Sequence, residues 1–295
     1  MKKLTAIMLS LIMLLGVCGA ASASMREDEA RVVLGADLTE EQKQDALAYF
    51  EVESGSTIVL TVTNRDERMY FEGKLPDERL GHVALSSIYI VGRPEGSGLR
   101  IETFNINYCT SEMYKNALIS AGITDADIKI WAPRPISGTA ALTGIYKAYE
   151  DMTGRVLDAA AKDLGIEELI ATGQLAEYIG SDEALAIIRD VKKILDETKN
   201  MNDEDVMARI HGIADDYNVT LTDEQADQIF TLARMFEGLS AEEIQQRLIN
   251  MANAAEKAQS FTETVESIFH SIGEFIRTIG QFFTDIWNKW FGNRT

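Results

Sequence analysis

The sequence predicts an α+β protein: a mixed α/β unit with a small sheet, then an all-helical unit ending in a long amphipathic helix. Three observations carry that reading. β-Branched and aromatic runs recur between residues 30 and 132. From Thr139 onward, apolar residues recur instead at three- and four-residue steps. All four prolines lie between Pro76 and Pro135, so composition itself divides the chain. The expected organisation is a leader at 1–23, a mixed α/β domain at 24–138, a helical domain at 139–259 and an amphipathic helix at 260–295.

Taken in order, ARVVLG reads as a short strand and LTEEQKQDALAYF as a helix. Thr39 is a good N-cap for that helix, and Gln42, three residues on, is its capping-box partner. STIVLTVTN is β-branched and strand-like. Asp66, Glu67 and Arg68 follow in NRDER, which reads as a strand-end turn. VALSSIYIV and LRIETFNINY are two more strands, and the glycine-rich GRPEGSG between them predicts a β-hairpin. Gly96 and Gly98 do not make a dinucleotide loop, which needs a third glycine and a helix after it. SEMYKNALISAG is a helix closed by Gly122, and DIKIWA is a short strand.

The next stretch, PRPISGTAALTGIYKAYE at 133–150, is where a ligand site is expected. Pro133 and Pro135 hold the chain extended. Ser137 or Thr139 can cap a helix whose apolar Ala141, Leu142, Ile145 and Tyr149 follow at helical spacing. A helix start offers backbone N–H groups, and Gly138 leaves room for close approach. Arg134, Ser137, Gly138 and Thr139 are therefore the candidate ligand-binding residues, with an anion as the first expectation. No catalytic residue is assigned. ISGTA is not G-x-S-x-G, and Lys147 lies about two helical turns from Ser137. A hydrolase using this loop with Asp66, Glu67 and Arg68 stays open as the alternative, and the two segments lining one cleft would favour it.

Charge narrows the partners. Lys and Arg number 28 against 47 Asp and Glu, a net −19. Nucleic acid is excluded as a partner, since its phosphates demand a positive footprint. NMNDEDVMARIHG, the richest acidic stretch, lacks the glycine and spaced glutamate of a calcium loop. No metal and no cofactor are implied. His211 and His270 lack a second ligand at helical spacing and read as structural or solvated.

Lys2 and Lys3, the apolar run Leu4–Val17 and the A-x-A pattern at Ala21–Ala23 read as a secretory leader cut near Ala23. An uncleaved anchor is the alternative. Lipid attachment at Cys18 is disfavoured by Val17 before it. The expected location is extracellular or at the cell envelope. Cys109, the cysteine left after cleavage, cannot form an internal disulfide and reads as a buried structural residue.

Several motifs in matching order, GADLTEEQ, VTNRDERMYFEG, SSIYI, EGSGLRIETFNI and the run from Met113 to Glu150, resemble the YpuA-like family. Its members are exported proteins of Gram-positive bacteria whose function is unknown. The resemblance covers Val32 to Glu150 and extends more loosely through the helical half. It departs at APRPISG, where an apolar residue is expected in place of Arg134 or Pro135. It implies a secreted envelope protein and transfers no catalytic residue.

The helical half continues through RVLDAAAKDL, IEELIATGQLAEYI, DEALAIIRDVKKILDET and DEDVMARIHGIADDY. Leu185, Ile188, Val191 and Leu195 make one apolar stripe. LTDEQ at 221–225 repeats the capping grammar of LTEEQ, and Ser240 with Glu243 forms another box. From Phe261 to Trp290 apolar residues keep a heptad-like seam, widened by Phe269, Ile276, Phe283 and Trp287. A helix of about 30 residues is roughly 45 Å long, more than one compact domain readily covers. Phe275, Phe282, Phe283, Trp287 and Trp290 are therefore the expected contact residues, for a protein partner, self-association or a membrane surface. Packing along the preceding helices is the competing expectation. The sequence thus predicts an exported, non-enzymatic binding or assembly protein.

Overall fold

The computed structural model describes residues 25–238. The predicted leader, the box at Ser240 and the aromatic seam at 260–295 lie outside the described residues. The α+β class holds: a mixed five-stranded sheet is followed by helices. Its strands are β1 (Ala30–Gly35), β2 (Ile58–Val62), β3 (Ser87–Gly92), β4 (Leu99–Ile106) and β5 (Ala126–Ile136), in the spatial order β2-β1-β3-β5-β4. β1 pairs parallel with β2 and antiparallel with β3; β5 pairs antiparallel with β3 and parallel with β4.

The predicted β3–β4 hairpin is overturned, because β5 lies between the two strands. The glycine-rich connection carries the chain over one strand position, a span of about 9–10 Å, rather than making a tight turn. β5 occupies the inner position because Ala126, Ile128, Ile130, Trp131 and Ala132 are all buried.

Helices cover both faces. On one side lies α1 (Glu40–Phe50), whose Thr39 and Gln42 form the predicted capping box. Its Phe50 packs with Val32, Leu34 and Trp131. The segment read as a strand-end turn is instead α2 (Asn64–Phe71), capped by Thr63 and Asp66 in a box of its own. A short α3 (Asp77–Leu80) follows, then α4 (Ser111–Ser120). The helix after the proline loop, α5 (Thr139–Thr153), packs on β1, β2 and β3. Its Ala141, Leu142 and Ile145 share one apolar core with Val33, Ile88 and Ile130.

RVLDAAAKDL and IEELIATGQLAEYI merge into one 21-residue helix, α6 (Ala159–Ile179), with Asp158 as N-cap. Then come α7 (Ser181–Lys193), a single turn α8 (Leu195–Thr198), α9 (Asp203–Asp216) and α10 (Asp223–Glu237), the last opening on the predicted Thr222–Gln225 box. α6 joins the two cores. Ile166, Leu169 and Ile170 belong to the sheet core, while Leu164, Ala171 and Leu175 belong to the helical one. Gly165 allows α6 to press onto α4, since a Cβ there would stand 2.4 Å from the Ala117 carbonyl oxygen. No described helix is long and apolar enough to cross a membrane.

Candidate functional site

The candidate site is a cleft at the N-terminal end of α5, and two prolines shape it. β4 and β5 pair in register from Leu99–Ala126 to Phe104–Trp131, then resume at Ile106–Ile136. Asn105, with φ +58°, marks the irregularity, and its side chain donates to the Ala132 carbonyl at 2.9 Å. Pro133 and Pro135 have no N–H to give the ladder, so Ala132–Pro135 bulges outward. That bulge carries Arg134 to the surface, where it forms no ion pair among the described residues.

Beyond the bulge the chain is fixed by three contacts. Asn107 N–H donates to the Ile136 carbonyl, Cys109 N–H to the Ser137 carbonyl, and the buried Tyr114 hydroxyl to the Gly138 carbonyl at 2.6 Å. Gly138 is the N-cap residue of α5, with φ +93°. A Cβ there would lie 2.3 Å from the Tyr114 hydroxyl and 2.6 Å from Ile106 Cγ2. Its conformation and the crowding of Tyr114 and Ile106 therefore demand glycine.

Neither Ser137 nor Thr139 caps α5 through its own side chain in the expected way. The cap comes from α2. Thr139 Oγ1 donates to Glu67 Oε1 at 2.5 Å, the Ala140 N–H is bonded to the same carboxyl, and Asn64 Nδ2 donates to Oε2 at 3.1 Å. Glu67 is a residue 2 % exposed, and desolvation pushes its carboxyl above the ordinary range against the pull of those donors. A remote glutamate thus occupies the position at the helix start that the sequence assigned to a bound anion.

The cleft, about 320 Å³, is lined by Glu67, Glu78, Arg79, Ser86, Asn107 and the whole loop from Arg134 to Ala140, among others. All four sequence-predicted ligand residues therefore border one cavity, and Glu67 of NRDER joins them. Asp66 and Arg68 are engaged elsewhere. Asp66 caps α2 and pairs with Lys147 at 3.2 Å; Arg68 pairs with Glu72 and Asp77. Ser137 Oγ lies 3.2 Å from Thr139 Oγ1, so two hydroxyls and a buried carboxyl form a chain into the wall. Arg79 ion-pairs with Glu177 and sits over the Tyr108 ring, 4.9 Å from its centroid.

Ser86 is the residue sequence reasoning missed. It is 1 % exposed, it lines the cleft, and its hydroxyl has no hydrogen-bond partner among the described residues. A buried unpaired hydroxyl carries a desolvation cost of about 1–3 kcal/mol. Nothing in LSSIYI separates Ser86 from its neighbour Ser87, whose hydroxyl accepts from the Gly35 N–H. Cys109 is buried beside the cleft loop, and burial pushes its thiol up to about 12, which makes it inert. Among the described residues no group of His, Cys, Asp and Glu is arranged to hold a metal ion.

A family model described as "Protein of unknown function (DUF1002)" matches residues 34–255. The chain belongs to this family. It is 36% identical over 282 residues to "Uncharacterized protein YpuA" of Bacillus subtilis (strain 168), covering 94% of this chain and 93% of that one. No solved structure matches the chain. The match to the family model takes in β2 to β5, the end of β1, the cleft and the described helices after it.

Proposed function

We propose that the protein binds a small polar ligand in the cleft at the start of α5. The observation that carries this reading is the meeting, on one cavity, of Arg134, Ser86 and Ser137, of which Arg134 has no ion pair and the buried Ser86 hydroxyl no hydrogen-bond partner among the described residues. Its volume lies at the lower end of small-molecule sites, which run from about 300 to 1,000 Å³. A thermal-shift screen of the full chain against neutral, anionic and cationic metabolites tests it. The expected result is a set of stabilising ligands whose effect disappears in Arg134→Ala and weakens in Ser86→Ala. Ligands that stabilise both variants as much as the parent would place binding elsewhere.

A second reading, a hydrolase, is favoured by the Ser137–Thr139–Glu67 chain. Turnover of simple ester substrates that Ser137→Ala abolishes would establish it, and a full set of inert substrates would remove it. Export to the cell envelope, and a contact role for Phe275, Phe282, Phe283, Trp287 and Trp290, rest on the sequence patterns alone. Deleting 260–295 should then abolish partner or membrane association and leave a soluble remainder. Unchanged partitioning of the truncated protein would count against that role.

A further inference from the structure

Resting on the ligand-binding reading of the cleft, we infer that its ligand presents an oxyanion, a carboxylate or phosphate, to Arg134 and Ser86, and that Glu67 gates entry by its protonation state. The argument begins with charge. Arg134 is a cation with no ion-pair partner among the described residues, and it lines a cavity whose wall also includes Ser86, whose buried hydroxyl has no hydrogen-bond partner among the described residues. A free guanidinium and a free hydroxyl together suit an oxygen anion. Glu67, however, borders the same cavity and is buried in its wall. Ionised, it would face an incoming anion across the same cavity, and like charges repel. Neutral, it would not.

Glu67 has no counter-charge bonded to it among the described residues; Arg68, next along α2, favours its ionised form only through space. Its bonded partners, Thr139, Asn64 and the Ala140 amide, are all neutral. On α2, Arg68 is held by Glu72 and Asp77, and Asp66 by Thr63 and Lys147. On α3, Arg79 is held by Glu177, and Glu78 is exposed at the rim. Cys109 and Tyr114, behind the loop, are kept neutral by burial. His82 touches Arg68 at 3.3 Å. Burial already favours the neutral form of Glu67. An arriving anion favours it further, so each anion bound should bring a proton with it.

Calorimetry of the full chain in chloride buffers from about pH 4.5 to 7 tests this, with probes whose own charge stays fixed across that range. Methanesulfonate stands for a carboxylate, sulfate for a phosphate, and glucose is the neutral probe. The expected result is that at least one anion binds more tightly as pH falls, approaching about tenfold per pH unit. Whichever anion binds tighter names the ligand class. Glu67→Gln should bind that anion tightly at every pH, and Arg134→Ala should weaken it by about tenfold or more throughout. Repeating the titration in buffers of different ionisation enthalpy should show about one proton taken up per anion by the parent protein, a result that does not depend on any variant folding. Binding without proton uptake, or pH dependence that survives in Glu67→Gln and vanishes in His82→Gln, would overturn the gate. Failure of both anions to bind would overturn the inference outright. Glucose binding, with both anions inert, would do the same while leaving the ligand-binding cleft standing.

Discussion

Two buried glutamates show how differently this chain treats a carboxyl taken out of water. Glu168 sits on α6 in the seam between the two cores, 1 % exposed, and ion-pairs with Lys192 of α7, itself 5 % exposed. Ser120 of α4 donates to the same carboxylate, and the Lys192 ammonium lies 4.6 Å from the centroid of the Phe236 ring on α10. Four helices are thereby pinned by one neutralised cluster. Glu67 is buried to nearly the same degree but bonds only to neutral donors and borders a cleft. The architectural carboxylate comes with its own counter-charge. The one bonded only to neutral groups borders the cleft.

Breaking the seam should have the largest effect. Glu168→Ala or Lys192→Ala leaves a buried charge alone and should cost about 3–5 kcal/mol in urea unfolding. The triple variant Glu168→Leu, Lys192→Met, Ser120→Ala should recover most of that loss, because a packed apolar trio avoids the desolvation penalty. If the triple variant is as unstable as the singles, shape rather than charge governs the seam.

Gly138→Ala should cost roughly 2–3 kcal/mol, since it forces a side chain into positive φ and against Tyr114. Adding Tyr114→Phe removes the closest atom and should return only part of it. Full recovery would mean that crowding alone requires the glycine.

The pH dependence sharpens the contrast. Glu67 holds its proton to a higher pH when folded than when unfolded. Its contribution is therefore fully present below the ordinary glutamate value, about 4.3, and is lost as pH rises through the folded value. The fall should not exceed ~1.4 kcal/mol per pH unit, and Glu67→Gln should flatten it. A parent whose stability climbs over that window, with the same climb missing from Glu67→Gln, would reverse the sign. Smallest of all, removing the exposed Arg209–Glu197 pair should change stability by less than about 0.5 kcal/mol.

What the sequence revealed follows the range of the forces involved. The capping boxes at Thr39–Gln42 and Thr222–Gln225 form as read, because each lies within four residues. The stripe at Ile188, Val191 and Leu195 is buried for the same reason. Thr63 with Asp66 caps α2 in the same way, but an acidic NRDER after a strand also resembles a turn. The hairpin failed since local turn chemistry cannot reveal that a strand 27 residues further on from Leu99 will insert between its arms. The proline loop was legible as a helix start. Its cap was not, because Glu67 and Thr139 are 72 residues apart and meet only because α2 packs against α5. Ser86 was invisible for the complementary reason: what marks it is a partner it lacks.

The account turns on Glu67 being a carboxyl without a bonded counter-charge at the cleft wall. A carbon-13 NMR titration of the full chain, with the Glu67 side-chain resonance assigned by its loss in Glu67→Gln, measures this directly. The account predicts a midpoint above the ordinary glutamate value of about 4.3, moving higher still when an oxyanion is added. A midpoint at or below that value, unmoved by anions, would contradict it.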